Sequence, residues 1–366
     1  MRAVFIKEFQ ELGRDRRTLG MLIVMPLLLL IIFGYAANFT VDSFEVTIVG
    51  ADAENVEAMI DENDDLSDHL VITDVDTEGA TKDAVDALRD GRSDLAFVAD
   101  DATEITVLID GSNLFAAQSA EVMFAQLSSQ SAENPQAPKI DTEILFNPDL
   151  KTSWVMIPAI IGLILTFIGT IITSIGLVRE RESGTLEQLA VMPLSAPGVI
   201  LGKVLPYFLL AAFDLVLIAV LGILLFDVPF AGSVWVFALG AVLFLFAVLG
   251  IGVLISSVSQ TSGQAIQLAM MTLLPQILLS GMIFPLEAMA AGVRWIGYLL
   301  PLTYFTMISQ GVMLRAAPLD SLWLPLTVLA IMAVVIFGLA IMRLHASISP
   351  AKPRRSLRRH PHGAAS

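Results

Sequence analysis

The side chains that could do work on a neighbouring molecule are concentrated in one charged segment between two apolar stretches. Arginine and glutamate alternate at its start, a glycine follows, and a helix-compatible stretch begins near the next threonine. The residues of interest are Arg179, Glu180, Arg181, Glu182, Gly184, Thr185, Glu187 and Gln188. None of them has a partner that suggests bond-making chemistry, so the pattern predicts electrostatic and mechanical contact.

An apolar stripe lies on the same segment. It consists of Leu186, Leu189, Ala190, Met192 and Leu194. A solvated loop would not need such a stripe, so we expect it to be buried against another surface. That surface is either a second protein or the chain's own helices.

A second group of polar side chains lies inside apolar sequence. Asp214 interrupts a long apolar stretch, where an ionised carboxylate costs about 2.5–3.5 kcal/mol. It is therefore a candidate for contact with a cation or a polar substrate group, or else with a polar partner between helices. Thr166 and Thr170 belong to a hydroxyl-bearing stripe that favours close helix packing, with contact to a substrate as the alternative.

The sequence contains no convincing nucleotide or metal site. A phosphate-binding loop needs G-x-x-x-x-G-K-[ST], and the nearest approach, 198–204, is one residue short and ends in valine. There is no Asp-x-Asp-x-Asp-Gly loop and no cysteine. We therefore expect no catalytic residue, metal or cofactor in this chain.

The composition is that of an integral membrane protein. Of its 366 residues, 55% are hydrophobic and 16% are charged. A helix of about 20 apolar residues crosses a bilayer core. Six stretches are long enough, at 19–37, 154–178, 204–226, 233–255, 263–284 and 322–342.

Basic residues predict the orientation of these six spans. They cluster before the first span, between the second and third, and after the sixth. Lys and Arg near span ends are retained on the cytoplasmic side, and these three places are an even number of crossings apart. Both termini are thus predicted to be cytoplasmic, with residues 39–151 outside.

The predicted outer segment is strongly acidic yet patterned like a folded domain. It holds 26 acidic against 5 basic residues, a net charge of −21, whereas the whole chain carries −15. Apolar and polar residues alternate as in strands at 44–49, 71–75, 95–98 and 105–109, and helices are indicated at 53–63, 81–90 and 115–129. This order predicts a small α/β module. Its acidity is typical of a solvated surface in a saline exterior, with attraction of cations as the alternative.

The two ends of the chain are basic. The first residues can form an amphipathic helix at the inner membrane surface, or an ordinary solvated cap before the span. The tail follows a span directly, so anionic lipid is its expected partner and nucleic acid is not. The predicted domain organisation is a cytoplasmic interface helix (1–18), a first membrane helix (19–38), an acidic α/β domain (39–151), membrane helices 2–6 (152–343) with the charged loop 179–203, and a basic tail (344–366).

The charged loop resembles that of the ABC-2 type transport permeases. Their pattern is R-E-(R/K)-E, then G-T-L-E-Q-L, then P-L and L-G-K. This chain reads Arg-Glu-Arg-Glu at 179–182, Gly-Thr-Leu-Glu-Gln-Leu at 184–189, Pro-Leu at 193–194 and Leu-Gly-Lys at 201–203.

Two further regions are similar to the same family. After the fifth predicted span, the chain has the family's broken apolar segment, 281–305, with Gly281, Pro285, Glu287 and Pro301. The resemblance implies that this segment re-enters the membrane from outside between helices 5 and 6, where protein or water must satisfy its non-helical backbone. The stretch 107–118 resembles the outer domain of the family's multidrug-type branch.

The resemblance implies the permease subunit of an ATP-binding cassette exporter in the plasma membrane. A separate ATPase subunit would bind ATP and Mg²⁺ and touch the charged loop and the leader. A second permease, identical or related, would complete the pathway. The expected cargo is hydrophobic or amphiphilic, drug-like or lipid-like.

Two other functions are compatible with parts of the sequence. One is an ion-coupled secondary transporter that uses Asp214. The other is a membrane-tethered binding or assembly protein that acts through its outer domain. An internal repeat would support an ion-coupled transporter, and none is evident between the two halves of the chain. A tethered binding protein would not need the charged loop.

Overall fold

The computed structural model describes residues 43–101, 104–131, 139–183 and 196–348. An α/β unit comes first in the chain and a helical unit follows it. The predicted leader, the first predicted span, residues 184–195 of the charged loop and the basic tail from 349 onward lie outside the described residues.

The α/β unit alternates strands with helices. Its strands are β1 (Phe44–Val49), β2 (Leu70–Asp76), β3 (Leu95–Asp101), β4 (Glu104–Asp110) and β5 (Lys139–Leu145). Its helices are α1 (Ala53–Asp61), α2 (Asp64–Ser67), α3 (Thr81–Arg89) and α4 (Leu114–Ser131). The first four strands and the three longer helices confirm the predicted elements. Strand β5 and the short α2 have no counterpart among them.

The strands form one five-stranded sheet in the order β2-β1-β3-β4-β5. Strand β1 is parallel to β2 and β3, whereas β4 is antiparallel to β3 and parallel to β5. Helices cover both faces: Val46 and Ile48 pack with α1 and α4, and Val49 packs with α3. Burying one such side chain contributes about 1.5–3 kcal/mol, so an apolar core lies beneath the acidic surface.

One edge of the sheet faces the helical unit. Strand β5 runs antiparallel to β1, so the start of β1 and the end of β5 lie at the same edge. The chain therefore enters and leaves the α/β unit there. Leu114, Val155 and Leu314 form an apolar cluster across this boundary.

The helical unit begins with a helix that contains a π-helical turn. Helix α5 (Thr152–Phe167) continues through the π turn Ile168–Ile172 into α6 (Thr173–Glu182). The other helices are α7 (Ala196–Phe226), α8 (Val234–Val258), α9 (Ser262–Leu279), α10 (Ala291–Gly297), α11 (Pro301–Met313) and α12 (Trp323–Ile348).

Four stretches of the described helices are long and apolar enough to cross a membrane: Thr152–Glu180, Val204–Phe226, Val234–Val258 and Trp323–Arg343. They coincide with four of the predicted spans. The fifth predicted span, 263–284, corresponds to α9, which is more polar than these four and ends at Leu279. The helix stops early because Gly281 adopts a left-handed backbone, with φ of 83°. The chain is thus a helical membrane protein with an early α/β unit.

Helix α8 lies at the centre of the helical unit and packs against α5, α6, α11 and α12. Small residues allow this close approach. A Cβ atom on Gly252 would lie 2.5 Å from the carbonyl oxygen of Gly169 in the π turn. Aromatic stacking adds to the contact, since the rings of Phe244 and Phe305 lie 4.5 Å apart. Such packing of small residues is how helices associate in lipid.

Helices α7 and α12 present apolar side chains outward. On α7, Leu209, Phe213 and Leu224 are at least 60% exposed, and on α12 Val334 is 74% exposed. In contrast, α11 is short and buried on nearly all sides between α5, α8 and α12. The unit therefore has an apolar periphery around a buried short helix.

Candidate coupling and transport site

The described part of the charged loop ends in a contact with a distant helix. The Glu182 carboxylate accepts hydrogen bonds from the backbone N–H of Ser262, at 3.0 Å, and from its hydroxyl, at 2.8 Å. These bonds, with the charge of Arg179 nearby, hold the pKa of the Glu182 carboxyl below its usual range. Because Ser262 begins α9, Glu182 joins the end of α6 to the start of α9. We call this contact the inner junction.

The remaining residues of the charged loop are only partly described. Arg179 is exposed, Glu180 is half-buried, and the Ser183 hydroxyl donates to the Glu180 carbonyl oxygen at 3.1 Å. The side chain of Arg181, and all of Gly184, Thr185, Glu187 and Gln188, lie outside the described residues. Their contact with a partner therefore stays a prediction.

Asp214 lies half-buried on α7, beside the exposed Phe213. Within the part of the chain that the structure describes, its carboxyl group makes no hydrogen bond or ion pair with another residue. Helix α7 packs on α5, the π turn and α8, with a smaller contact to α12, and its other side, with Leu209 and Phe213, is exposed. The carboxyl group is thus held near the boundary between the packed and the outward sides of this helix.

The hydroxyl stripe is fully buried and bonded within its own helix. Thr166 donates to the Gly162 carbonyl oxygen at 2.8 Å, and Thr170 donates to that of Thr166 at 2.6 Å. These bonds immediately precede and enter the π turn, a feature that often marks functional positions in helices. The nearby Thr173 hydroxyl is buried and has no hydrogen-bond partner among the described residues.

The break after α9 is a folded structure. Gly281 turns the chain, Pro285 is buried, Glu287 is exposed and Pro301 is the first residue of α11. Arg294 fixes the loop by donating to the carbonyl oxygens of Glu287 and Met289.

An apolar cluster underlies this break. It consists of Leu278, Leu279, Phe284, Leu286, Met289 and Val293. The following helix is bonded to α5: Gln310 donates to the Val155 carbonyl oxygen at 3.0 Å, and Ser309 donates to that of Pro158 at 3.3 Å. The break is thereby anchored at both ends in the helical unit.

The α/β unit is joined to the helical unit by charged contacts, which we call the outer seam. Arg315 and Asp110 lie 3.2 Å apart, and Asp110 is 3% exposed. The Ser321 hydroxyl donates to Asp90 at 2.7 Å.

Sequence reasoning identified neither the outer seam nor the inner junction. The only local signals were a lone arginine, Arg315, in an otherwise apolar stretch and a serine at a helix start. Gln276 was missed as well: it is fully buried in α9, and neither atom of its amide group has a partner among the described residues. Within the described ranges no group of three or more His, Cys, Asp or Glu could hold a metal ion.

Similarity to known proteins extends over nearly the whole chain. Residues 16–342 match the family described as ABC-2 family transporter protein. The probable multidrug ABC transporter permease YbhR of Escherichia coli K12 is 29% identical over 334 residues, covering 87% of this chain and 90% of the relative.

Two further relatives from the same organism agree with this match. The probable multidrug ABC transporter permease YbhS is 30% identical over 335 residues, covering 86% of this chain and 88% of the relative. The inner membrane transport permease YhhJ is 33% identical over 214 residues, 57% of this chain and 56% of that protein.

Proposed function

The chain belongs to the ABC-2 transporter family, and from this premise we propose that it forms the transmembrane path of an exporter in the plasma membrane. It is a permease, a transport component rather than an enzyme, and the family implies a separate subunit that binds and hydrolyses ATP. The match over residues 16–342 carries the proposal, because it includes both the α/β unit and the helical unit.

The proposed topology has six spans. The stretch 19–37 is the first, the four apolar stretches are the second, third, fourth and sixth, and α9 is the fifth. Both termini are cytoplasmic and the α/β unit is outside, as the basic residues favour. Helix α11 has 13 residues and is about 20 Å long, whereas a bilayer core is about 30 Å thick. The predicted re-entrant segment, 281–305, leads into this helix, whose length and burial suit re-entry from outside between the fifth and sixth spans.

The proposed coupling begins at the charged loop, 179–203. The ATPase binds ATP and Mg²⁺ and pushes on this loop through Glu187, Gln188 and their neighbours. Glu182 passes the displacement to α9, because its carboxylate holds the Ser262 backbone and hydroxyl. The inner junction thus makes the loop and the cytoplasmic end of α9 one mechanical body.

The other end of α9 leads directly into the break at residue 281. A shift of α9 therefore acts on the apolar cluster at Leu279 and Leu286 and on the start of α11. Because α11 is bonded to α5, the break can close or open the outer side of the path. This corresponds to a shift between inward and outward arrangements, biased by ATP-driven closure of the motor.

The pathway itself is proposed to lie where a second permease, identical or related, covers the apolar side of α7. Asp214 and Phe213 are at the edge of that side. Thr166 and Thr170 lie in α5 and its π turn, against which α7 packs. An apolar wall with one carboxyl group suits a hydrophobic or amphiphilic substrate. The relatives whose printed names call them probable multidrug permeases support this class of cargo.

The proposal is tested by purifying the tagged chain from detergent together with whatever it binds. We expect an ATPase with a phosphate-binding loop to be retained and to hydrolyse ATP. Glu187→Arg should abolish its retention, because the substitution reverses a charge in the predicted contact. Glu121→Arg is the matched control, since Glu121 is exposed on α4 in the α/β unit, and it should leave retention intact.

Two outcomes would contradict the proposal. A chain that purifies without any ATPase would move the interpretation to an ion-coupled transporter or a tethered binding protein. Equal loss of the ATPase in both variants would mean that the predicted loop is not the contact.

A further inference from the structure

Two cavities adjoin at the outer seam. One has a volume of about 470 Å³ and the other about 150 Å³. The same four residues, Asn113, Glu287, Met307 and Arg315, line both. The two cavities are therefore neighbours that share a wall, and together we call them the seam crevice. It lies between the sheet edge, the break after α9 and the start of α12.

The seam crevice is short of positive charge. Its larger part is lined by five carboxylates, Glu45, Asp90, Asp94, Asp110 and Glu287, and by two guanidinium groups, Arg294 and Arg315. Arg315 is paired with Asp110, and Arg294 donates to backbone carbonyl oxygens. Asp90 lies near Arg89 and Arg92, at 3.9 and 3.7 Å. Among the described residues, Asp94, Glu287 and Glu45 are therefore the carboxylates of the crevice that have no ion pair.

Asp94 shows the effect of this imbalance most clearly. Burial raises the pKa of its carboxyl to about 7, although the Glu45 backbone N–H donates to it. The nearby charges of Glu287, Asp110 and Glu45 raise it further. A bound cation would offset the cost of ionising this group.

Buried hydroxyl groups also line the crevice without partners. Ser93 lines the larger part and is 4% exposed, whereas Ser280 and Thr306 line the smaller part and are 1% and 3% exposed. None of the three hydroxyls has a hydrogen-bond partner among the described residues. Polar groups buried this deeply are normally hydrogen-bonded, so a ligand that reached these hydroxyls from the crevice would supply the partner they lack.

The crevice has an apolar side as well. Met307 lines both parts, and Leu322, Leu324 and Pro325 line the larger part. Leu324 is 55% exposed and lies in the first turn of α12, one of the four helices apolar enough to cross a membrane. A molecule that combines a polar head with an apolar body would therefore contact matching surfaces.

We propose that the seam crevice binds a protonated amine that carries an apolar group. The ammonium lies among the carboxylates of Asp94 and Glu287 in the larger part, which the Ser93 hydroxyl also lines, while the apolar group covers Met307 and Leu322. The further statement that this amine is exported cargo rests on the proposed export function. The existence of the binding site does not depend on that function.

The test compares two probes that share one skeleton, 2-phenylethylammonium and the neutral 2-phenylethanol. Binding is measured to the full chain in phosphatidylcholine nanodiscs, with empty nanodiscs subtracted. We expect the amine to bind about tenfold more tightly than the alcohol, because hydrogen bonds between charged groups are the stronger ones. Its affinity should also rise between pH 6 and pH 8 as Asp94 loses its proton.

Variants locate the binding. Glu287→Gln should weaken amine binding about three- to tenfold and leave alcohol binding unchanged. Because Glu287 is exposed, this substitution should not disturb folding, so misfolding would not explain weaker binding. Asp94→Asn should also weaken binding and remove the pH dependence. Glu121→Gln, outside the crevice, should change neither. Equal binding of amine and alcohol, or an unaffected Glu287→Gln variant, would overturn the proposal.

The site and the export function fail separately. A chain that retains its ATPase but binds the two probes equally would lack the site and keep its function. A chain that binds the amine selectively but retains no ATPase would keep the site, and the amine would then not be cargo of an ATP-driven path.

Discussion

The inner junction and the outer seam both tie together parts of the chain that are far apart in sequence, but they differ in burial. At the inner junction, exposed Glu182 bonds Ser262, 80 residues away. At the outer seam, Asp110 is 3% exposed and bonds Arg315, 205 residues away. Water can replace the partners of an exposed carboxylate, whereas a buried one has no substitute. The seam is therefore expected to contribute more to stability than the junction, whose proposed role is to couple the charged loop to α9.

The largest expected effect on stability is at the outer seam. Arg315→Met leaves the buried Asp110 carboxylate without its charged partner, which should lower the free energy of unfolding by about 3 kcal/mol. Thermal unfolding in detergent measures this, and limited proteolysis near residue 315 should show earlier cleavage. The double variant Arg315→Met/Asp110→Asn removes the unpaired charge and should recover most of the loss. An Arg315→Met chain as stable as the wild type would show that the seam does not hold the units together.

A smaller effect is expected at Asp94, and it depends on pH. The folded state holds this proton up to about pH 7, whereas the unfolded chain releases it near the ordinary value of 3.8. The contribution of this proton to the free energy of unfolding is thus lost as pH rises from about 4 to 7. Asp94→Asn should be more stable than the wild type at pH 8, by about 1–2 kcal/mol after allowing for screening in the crevice.

Unfolding of both chains at pH 8, 6 and 4 measures this difference. The advantage of Asp94→Asn should shrink at pH 6 and disappear at pH 4. A difference that stays constant with pH would show that burial does not raise the pKa of Asp94.

The smallest effect on stability is expected at the inner junction. Glu182→Ala removes an exposed carboxylate whose bonds water can replace, so its unfolding temperature should stay close to that of the wild type. Glu121→Ala, an equivalent change on the α/β unit, provides the reference in the same thermal scan. A large loss of stability would mean that the junction is structural like the seam, and the contrast between the two regions would fail.

Elements with a clear local pattern could be predicted from the sequence. Apolar and polar residues alternate in β1 to β4, and α8 and α12 are long continuous apolar stretches. Both patterns can be seen directly along the sequence. Strand β5 was missed because it is an edge strand with exposed Lys139, Asp141 and Glu143. The end of α9 was placed too late, because one left-handed glycine stops a helix within apolar sequence that could have continued.

The two contacts that define the sites could not be predicted in this way. Glu182 with Ser262, and Asp110 with Arg315, are brought together by the packing of whole helices and of the sheet edge. No local pattern carries that information. The charged loop was predicted to contact a partner, and that stays a prediction; no local pattern indicated that Glu182 also bonds within the chain.

Transmission through the inner junction can be tested by following the movement itself. The chain has no cysteine. One spin label can therefore be attached at Glu121→Cys on α4 and a second at Gly292→Cys on α10 of the same chain, and both positions are exposed. Their separation is measured by pulsed electron paramagnetic resonance in the complex with the ATPase, with and without a non-hydrolysable ATP analogue. We expect the analogue to shift the distance in the otherwise unaltered chain and to leave it unshifted in Glu182→Ala, with the ATPase still bound. The same shift in both chains would contradict transmission through the inner junction.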